Sequence, residues 1–232
     1  MALFRRHRPS EAGSGPAPAA ADESPDSPDT LAGPFDIADA PEVHRADFGG
    51  LQIPPREGME IALEVDQASR RISGLTVTYR DSALQVNAFA APRSSSLWSE
   101  VRGSLREAIA QQGGTTETRD GSFGDELYAR IPVQTQGSTK RSYRPLRFVG
   151  VDGPRWLLRV VVSGAALQHS DVREEVEEII RSIVVVRGSA PMAPKEVIEL
   201  HVPADRGGQQ STPLTPEDID PLGHGPSIAE IR

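Results

Sequence analysis

The chain contains no cysteine. Disulfides, thiolate metal sites and cysteine nucleophiles are therefore excluded. Lysine is nearly absent as well: Lys140 and Lys195 are the only two, and arginine carries the rest of the positive charge. Aromatic residues make up 5% of the chain, too few for the interleaved stacking platforms of a dedicated single-strand binder. No run of about 18 apolar residues occurs, so no helix of this sequence is expected to span a bilayer. The opening MALFRRHRPS has a basic cluster but no apolar stretch after it, which does not read as a secretory signal. The expected location is the cytoplasm. No G-x-S-x-G, no P-loop and no G-x-G-x-x-G is present, so nucleophile-elbow chemistry and phosphate cradling have no sequence support.

What is present divides into two kinds of sequence. Residues 48–186 hold 17 basic and 17 acidic side chains and are neutral, so the net charge of −8 belongs to the flanks. Residues 9–42 are rich in Pro, Ala, Ser and Asp, with Leu31, Phe35 and Ile37 as their only large apolar groups. Such a segment buries too little area to offset a backbone entropy of about 1–2 kcal/mol per residue. The sequence thus predicts a disordered N-terminal tail over 1–47, one domain over 48–203 and a disordered C-terminal tail over 204–232.

Within the domain the periodicity is legible. Met59, Ile61, Leu63 and Val65 alternate with Glu60 and Glu64, and Leu75, Val77 and Tyr79 alternate with Thr76 and Thr78. Leu84, Val86 and Ala88 mark a third strand. Asp81-Ser82 is a hairpin-length connection between the second and third. Leu97, Val101, Leu105, Ala108 and Ile109 form one stripe of a helix running from Ser96 to about Gln112, with Ser94–Ser96 as N-caps and Gly113-Gly114 at its end. A short strand near Thr115–Arg119, a turn at Asp120-Gly121 and a long strand through Leu127, Ala129, Ile131 and Val133 follow. LRFVGV and RWLLRVVVSG are two strongly apolar strands joined at Asp152-Gly153, and the second reads as central and covered on both faces. A second helix spans about Asp171–Ile183, with Ser170 as cap and Val176, Ile179, Ile180 and Ile183 inward. Val184–Val186 is a final short strand, and VIELHVP an extended piece on the domain edge. The order of elements predicts an α+β fold: a mainly antiparallel sheet of about six or seven strands with two long helices, flanked by tails.

Several stretches carry a resemblance: FAAPR at Phe89–Arg93, LWSEVR at Leu97–Arg102, FGDEL at Phe123–Leu127, RFVGVDGPRWLLR at Arg147–Arg159, SGAA at Ser163–Ala166 and VVVRGSAPMAP at Val184–Pro194. Together they resemble an uncharacterised actinobacterial protein family, a domain of unknown function, over roughly residues 46–203. The resemblance implies a cytosolic actinobacterial protein and implies no reaction. The order of elements is also similar to the Mog1/PsbP-type α/β/α sandwich. Members of that group mostly bind protein partners, an implication at the level of fold alone.

Candidate sites are few. The histidines, His7, His44, His169, His201 and His224, form no pair at metal-ligand spacing, and no cofactor is expected. Asp125 and Glu126 are adjacent in a strand and so point to opposite faces, a poor acid–base pair. The DGPRW block is the most distinctive local feature. Arg155 and Trp156 could present a guanidinium and an indole to a partner, but Asp152-Gly153-Pro154 also makes a turn, and Trp156 also suits a core ring. Arg93 and Trp98 flank the start of the first helix, where backbone N–H groups attract anions; Trp98 could instead pack on the sheet, and Arg93 could bond a carbonyl. The basic loop Lys140, Arg141, Arg144 and Arg147 is the only argument for nucleic acid, and a neutral domain speaks against it. In the flanks, the Arg5–Arg8 cluster is too short for membrane anchoring, and Thr212 and Thr215 precede prolines as phosphosite or docking candidates.

Two readings follow. One is a non-catalytic cytosolic protein-binding or scaffolding module, since the domain is well patterned yet lacks a nucleophile, metal or cofactor constellation. The other is a small-ligand binder or enzyme, which requires Arg93, Trp98, Arg155 and Trp156 to converge on one pocket. The identity of the partner and the oligomeric state are not encoded legibly.

Overall fold

In the computed structural model, residues 33–93, 95–133 and 142–203 are described; the tail assignments at 1–32 and 204–232, with their basic cluster and threonines, lie outside them. Three strands form a meander: β4 (Glu60–Val65), β5 (Ile72–Tyr79) and β6 (Ser82–Ala90). Tyr79 pairs with Ser82, so the loop is two residues, Arg80 and Asp81, both at positive φ (44° and 56°). That is the mirror-image turn whose twist matches a hairpin.

The other half of this sheet comes from β7 (Thr115–Gly121), β8 (Gly124–Val133), β9 (Ser142–Asp152) and β10 (Trp156–Gly164). Gly121 pairs with Gly124, so the β7–β8 turn falls at Ser122-Phe123, two residues after the Asp120-Gly121 expected from sequence. The seven strands run in the order β4-β5-β6-β10-β9-β8-β7, all neighbours antiparallel. The α+β class holds, with β10 in the middle. Its run from Trp156 to Val162 is buried at every position but Arg159, which is partly buried.

Alternation on β10 separates two cores. Trp156, Leu158, Val160 and Val162 face one side with Leu75, Val77, Leu84, Val86 and Val149. Leu157 and Val161 face the other with Phe89, Leu127, Ala129, Leu146 and Phe148. Helix α1 (Leu97–Gln111) covers the second face through Leu97, Trp98, Val101, Leu105 and Ile109. Helix α2 (Ser170–Ser182) covers the first through Val172, Val176, Ile179 and Ile180, after a 3-10 turn at Ala165–Leu167. Ser170 is the first residue of α2, not its cap. His169 holds the cap position without a side-chain bond.

A single sheet does not account for every strand. A second, four-stranded sheet lies on the α2 side, in the order β1 (Phe35–Asp36), β11 (Val184–Val185), β3 (Leu51–Ile53), β2 (Ala46–Asp47). Phe35 pairs in parallel with Val184, and its N–H donates to the Ile183 carbonyl at 2.9 Å. Phe35–Asp36 and Ala46–Asp47, in a stretch read as tail from its composition, are thus strands of a sheet. A two-residue strand carries no periodicity, and its backbone bonds are supplied by a segment about 150 residues away. The last extended piece bridges Phe89 through Val197, and Ile72 and Gly49 through Leu200, with Ile198 and Leu200 buried.

The helix α1 is held close to the sheet by a glycine. A Cβ at Gly150, on β9, would overlap the Trp98 indole. We expect Gly150→Ala to lose about 1–3 kcal/mol by urea unfolding, the usual range for overpacking a filled core.

Candidate functional site

The four residues singled out from sequence do not form one site. Trp98 and Trp156 are both buried, at 6% and 1% exposure, on opposite sides of the sheet. The Trp98 indole donates to the Asp125 carbonyl at 2.6 Å, and the Trp156 indole to the Asp36 carboxylate at 2.8 Å. Arg155 is partly buried and donates to the Gly188 carbonyl at 3.1 Å. Arg93 is exposed. The anion site expected at the start of α1 is filled from within: Asp152 accepts from the Leu97 and Trp98 backbone N–H groups at 2.9 and 3.1 Å and from the Ser96 hydroxyl at 2.6 Å. The carboxylate of the DGPRW block is thus a remote cap, suited to the positive helix end.

The same hairpin borders an open cleft of about 370 Å³, lined by Pro34, Phe35, Asp36, Asp39, Pro154 and Trp156 among others. Phe35 is partly buried there and Asp39 is exposed. Neither strand β1 nor this cleft was legible in the sequence, because both depend on a parallel pairing with β11.

Two charge clusters went unnoticed at the level of sequence. The first is buried between the sheet and α2. Arg147 makes a two-pronged pair with Glu126, Nε to Oε2 at 2.6 Å and Nη2 to Oε1 at 2.7 Å, and Nη2 also reaches Glu177 at 2.7 Å. Their side chains are 2%, 1% and 8% exposed. Glu177 also accepts from Ser122 and lies 3.4 Å from Arg181. Two cations and two carboxylates balance. Burial opposes the charge on Arg147, but the hydrogen bonds and field of Glu126, then Glu177, hold its pKa above the ordinary value. Burial likewise opposes the charge on Glu177; Ser122, Arg147 and Arg181 outweigh it and lower the pKa. Arg147 therefore does not belong to a surface basic loop. Of that group, Lys140 and Arg141 lie outside the described residues.

The second cluster is a row across the α1 side of the sheet. Arg159 on β10 stands opposite Asn87 on β6 and Gly150 on β9. Its Nη2 donates to Asn87 Oδ1 at 2.8 Å, and its guanidinium lies 5.3 Å from the Phe89 ring centre. Asn87 donates to the Ser73 carbonyl at 3.1 Å. Farther along, Glu64 on β4 pairs with Gly74 on β5 and accepts from the Thr76 hydroxyl at 2.6 Å. A side chain at Gly74 would collide with Asn87 and crowd Glu64. Burial pushes the Arg159 pKa down to about 10, and the Glu64 carboxylate only partly offsets this. The available signal was a charge inside an apolar strand: Arg147 interrupts LRFVGV and Arg159 interrupts WLLRVVV.

Among the described residues no group of three or more His, Asp or Glu could hold a metal ion, and no helix is long and apolar enough to cross a membrane. The architecture is thus an α+β domain with three buried charged side chains, Glu126, Arg147 and Glu177, among the described residues. The chain belongs to the family described as "Protein of unknown function (DUF3710)", whose model matches residues 33–209. Among solved structures it is similar to the solution structure of cyanobacterial PsbP (CyanoP) from Synechocystis sp. PCC 6803, at 15% identity and a TM-score of 0.39 over 61% of this chain and 91% of that one. A likeness of that size says nothing about function. No curated protein matches the chain.

Removing one member of the buried cluster leaves unpaired charge. Arg147→Met should cost about 3–5 kcal/mol in urea unfolding, whereas the triple change Glu126→Leu, Arg147→Met, Glu177→Leu should recover most of that loss. Glu177 adds a pH signature. Its folded pKa lies below the ordinary 4.5, so its contribution is complete above that value and falls away as pH drops through the folded pKa. Glu177→Gln should flatten the acid limb of a stability–pH curve.

Proposed function

We propose that this protein is a non-catalytic, cytosolic protein-binding or scaffolding module. The carrying observation is how its reactive side chains are used. Asp152 caps a helix, Glu126 and Glu177 neutralise Arg147, and both indole N–H groups bond within the fold. A general acid or base needs a free lone pair or proton within reach of substrate, and these groups have theirs engaged internally. What faces outward is suited to contact: an open cleft bordered by two prolines, the partly buried Phe35 ring and the exposed Asp39. The ligand-binding alternative at Arg93, Trp98, Arg155 and Trp156 loses its support, because the two indoles lie on opposite sides of the sheet.

The test is quantitative co-purification from native cytosol. The full chain should retain a specific, saturable protein, and Asp39→Arg should reduce its recovery at least about tenfold, the scale of one central contact. Equal recovery of the same proteins by wild type and the Asp39→Arg variant would count against a binding role for this cleft.

A further inference from the structure

The seven-stranded sheet ends at β7, and among the described residues β8 is the only strand that pairs with it. Its sequence, TTETRDG, is exposed at every position except Thr116, which is partly buried. Proteins usually blunt such an edge with a lysine, a proline, a bulge or a very short strand. Strand β7 is seven residues long, holds no lysine or proline, and pairs with β8 in unbroken register from Thr115–Arg130 to Gly121–Gly124.

The direction of its free backbone groups follows from the ladders. Tyr79 and Ser82 close a two-residue turn and form a hydrogen-bonded pair. Bonded and non-bonded pairs alternate along an antiparallel ladder, and a residue that bonds one neighbour turns its N–H and C=O away from the other. Carried through the registers of β6, β10, β9 and β8, this alternation bonds Thr115, Glu117, Arg119 and Gly121 to β8. Thr116, Thr118 and Asp120 therefore direct their N–H and C=O groups outward.

The side chains select what fills that edge. Arg119 bonds Glu117 at 2.7 Å and lies 4.5 Å from the Tyr128 ring centre, so the two charges share one face of the strand. Lay a second β7 antiparallel to the first, with the two-fold axis at Thr118. Thr118 then bonds its own copy, and Thr116 bonds Asp120 on either side of the axis. Glu117 of each copy faces Arg119 of the other, at the non-bonded positions where side chains lie closest. Other registers lose this match. An axis at Glu117, Arg119 or Asp120 sets a charge against itself, and an axis at Thr116 leaves Glu117 facing Thr115. The opposite terminal strand, β4, carries only glutamates as charges and has a register shift at Glu64/Val65, so it does not complement itself in this way. Pairing β7 with β4 would also be open-ended, whereas β7 with β7 closes on a dimer.

We propose that the free edge of β7 is the contact between two copies of this chain, joined antiparallel about Thr118 so that the two sheets become one. The proposal is independent of the binding-module reading, whose cleft is bordered by β1 and the β9–β10 hairpin.

Sedimentation velocity of the full chain from about 1 µM to about 1 mM should show a monomer–dimer equilibrium, with a dissociation constant on the order of 10–100 µM for so small an interface. Glu117→Arg and Arg119→Glu should each weaken association at least about tenfold, because each sets like charges opposite one another. Mixed in equal amounts, the two variants should associate about as tightly as wild type, since every charge again faces its opposite. Amide exchange of the wild type by NMR supplies a second readout. Raising the concentration should slow exchange at Thr116, Thr118 and Asp120 and leave Glu117 and Arg119, already bonded to β8, unchanged. A wild type that stays monomeric, a dimer that survives either reversal, a mixture that fails to associate, or protection gained at other amides would each overturn the assignment. The exchange pattern uses wild type alone, so it decides the matter even where a variant unfolds.

Discussion

The constraint on which this fold depends is the burial of β10 on both faces. Its nine residues pair with β6 along their full length and with β9 along most of it. A strand with Trp156, Leu158, Val160 and Val162 on one side and Leu157 and Val161 on the other is stable only when apolar layers cover both. Helix α1 supplies one layer. Helix α2 and the second sheet supply the other. The remaining strands extend from this axis, and their outermost members are more exposed and more polar, as β7 and β4 are.

The β9–β10 hairpin binds these layers together. Asp152, at its start, reaches the first turn of α1, and Trp156, at its end, bonds Asp36 of β1. Two residues four positions apart therefore tie a helix on one side of the sheet to a strand on the other. This explains why the DGPRW block stands out without belonging to an active centre. Its chemistry is directed inward, and the cleft beside it is bounded by the same residues that make those ties.

Charge inside the fold follows two rules. Arg147 is deeply buried and meets two carboxylates, Glu126 on β8 and Glu177 on α2, so it ties the helix to the sheet. Arg159 is partly buried, and among the described residues its one hydrogen bond goes to an amide, Asn87, with no carboxylate at ion-pair distance. Among these residues, each guanidinium keeps one buried nitrogen without a partner, Nη1 in Arg147 and Nε in Arg159. What separates the two is the pair of carboxylates that meets Arg147 and the lone amide, Asn87, that meets Arg159.

Periodicity alone determined the class and most of the elements. The alternation in β4, β5 and β6, the stripe of α1, the apolar run of β10 and the inward face of α2 all stand where local pattern puts them, because side-chain direction has a period of two in strands and 3.6 in helices. Only the tertiary structure decided the rest. Strand β1 exists because β11 offers it a parallel edge, and composition at Phe35 and Asp36 holds no trace of that distant pairing. The start of α1 could be read as open to an anion, but Asp152 occupies it from 55 residues away. Arg147 and Arg159 look alike in sequence, each a single arginine in an apolar strand. Their fates diverge because Glu126 and Glu177 reach one of them from a neighbouring strand and a helix, and no carboxylate closes on the other.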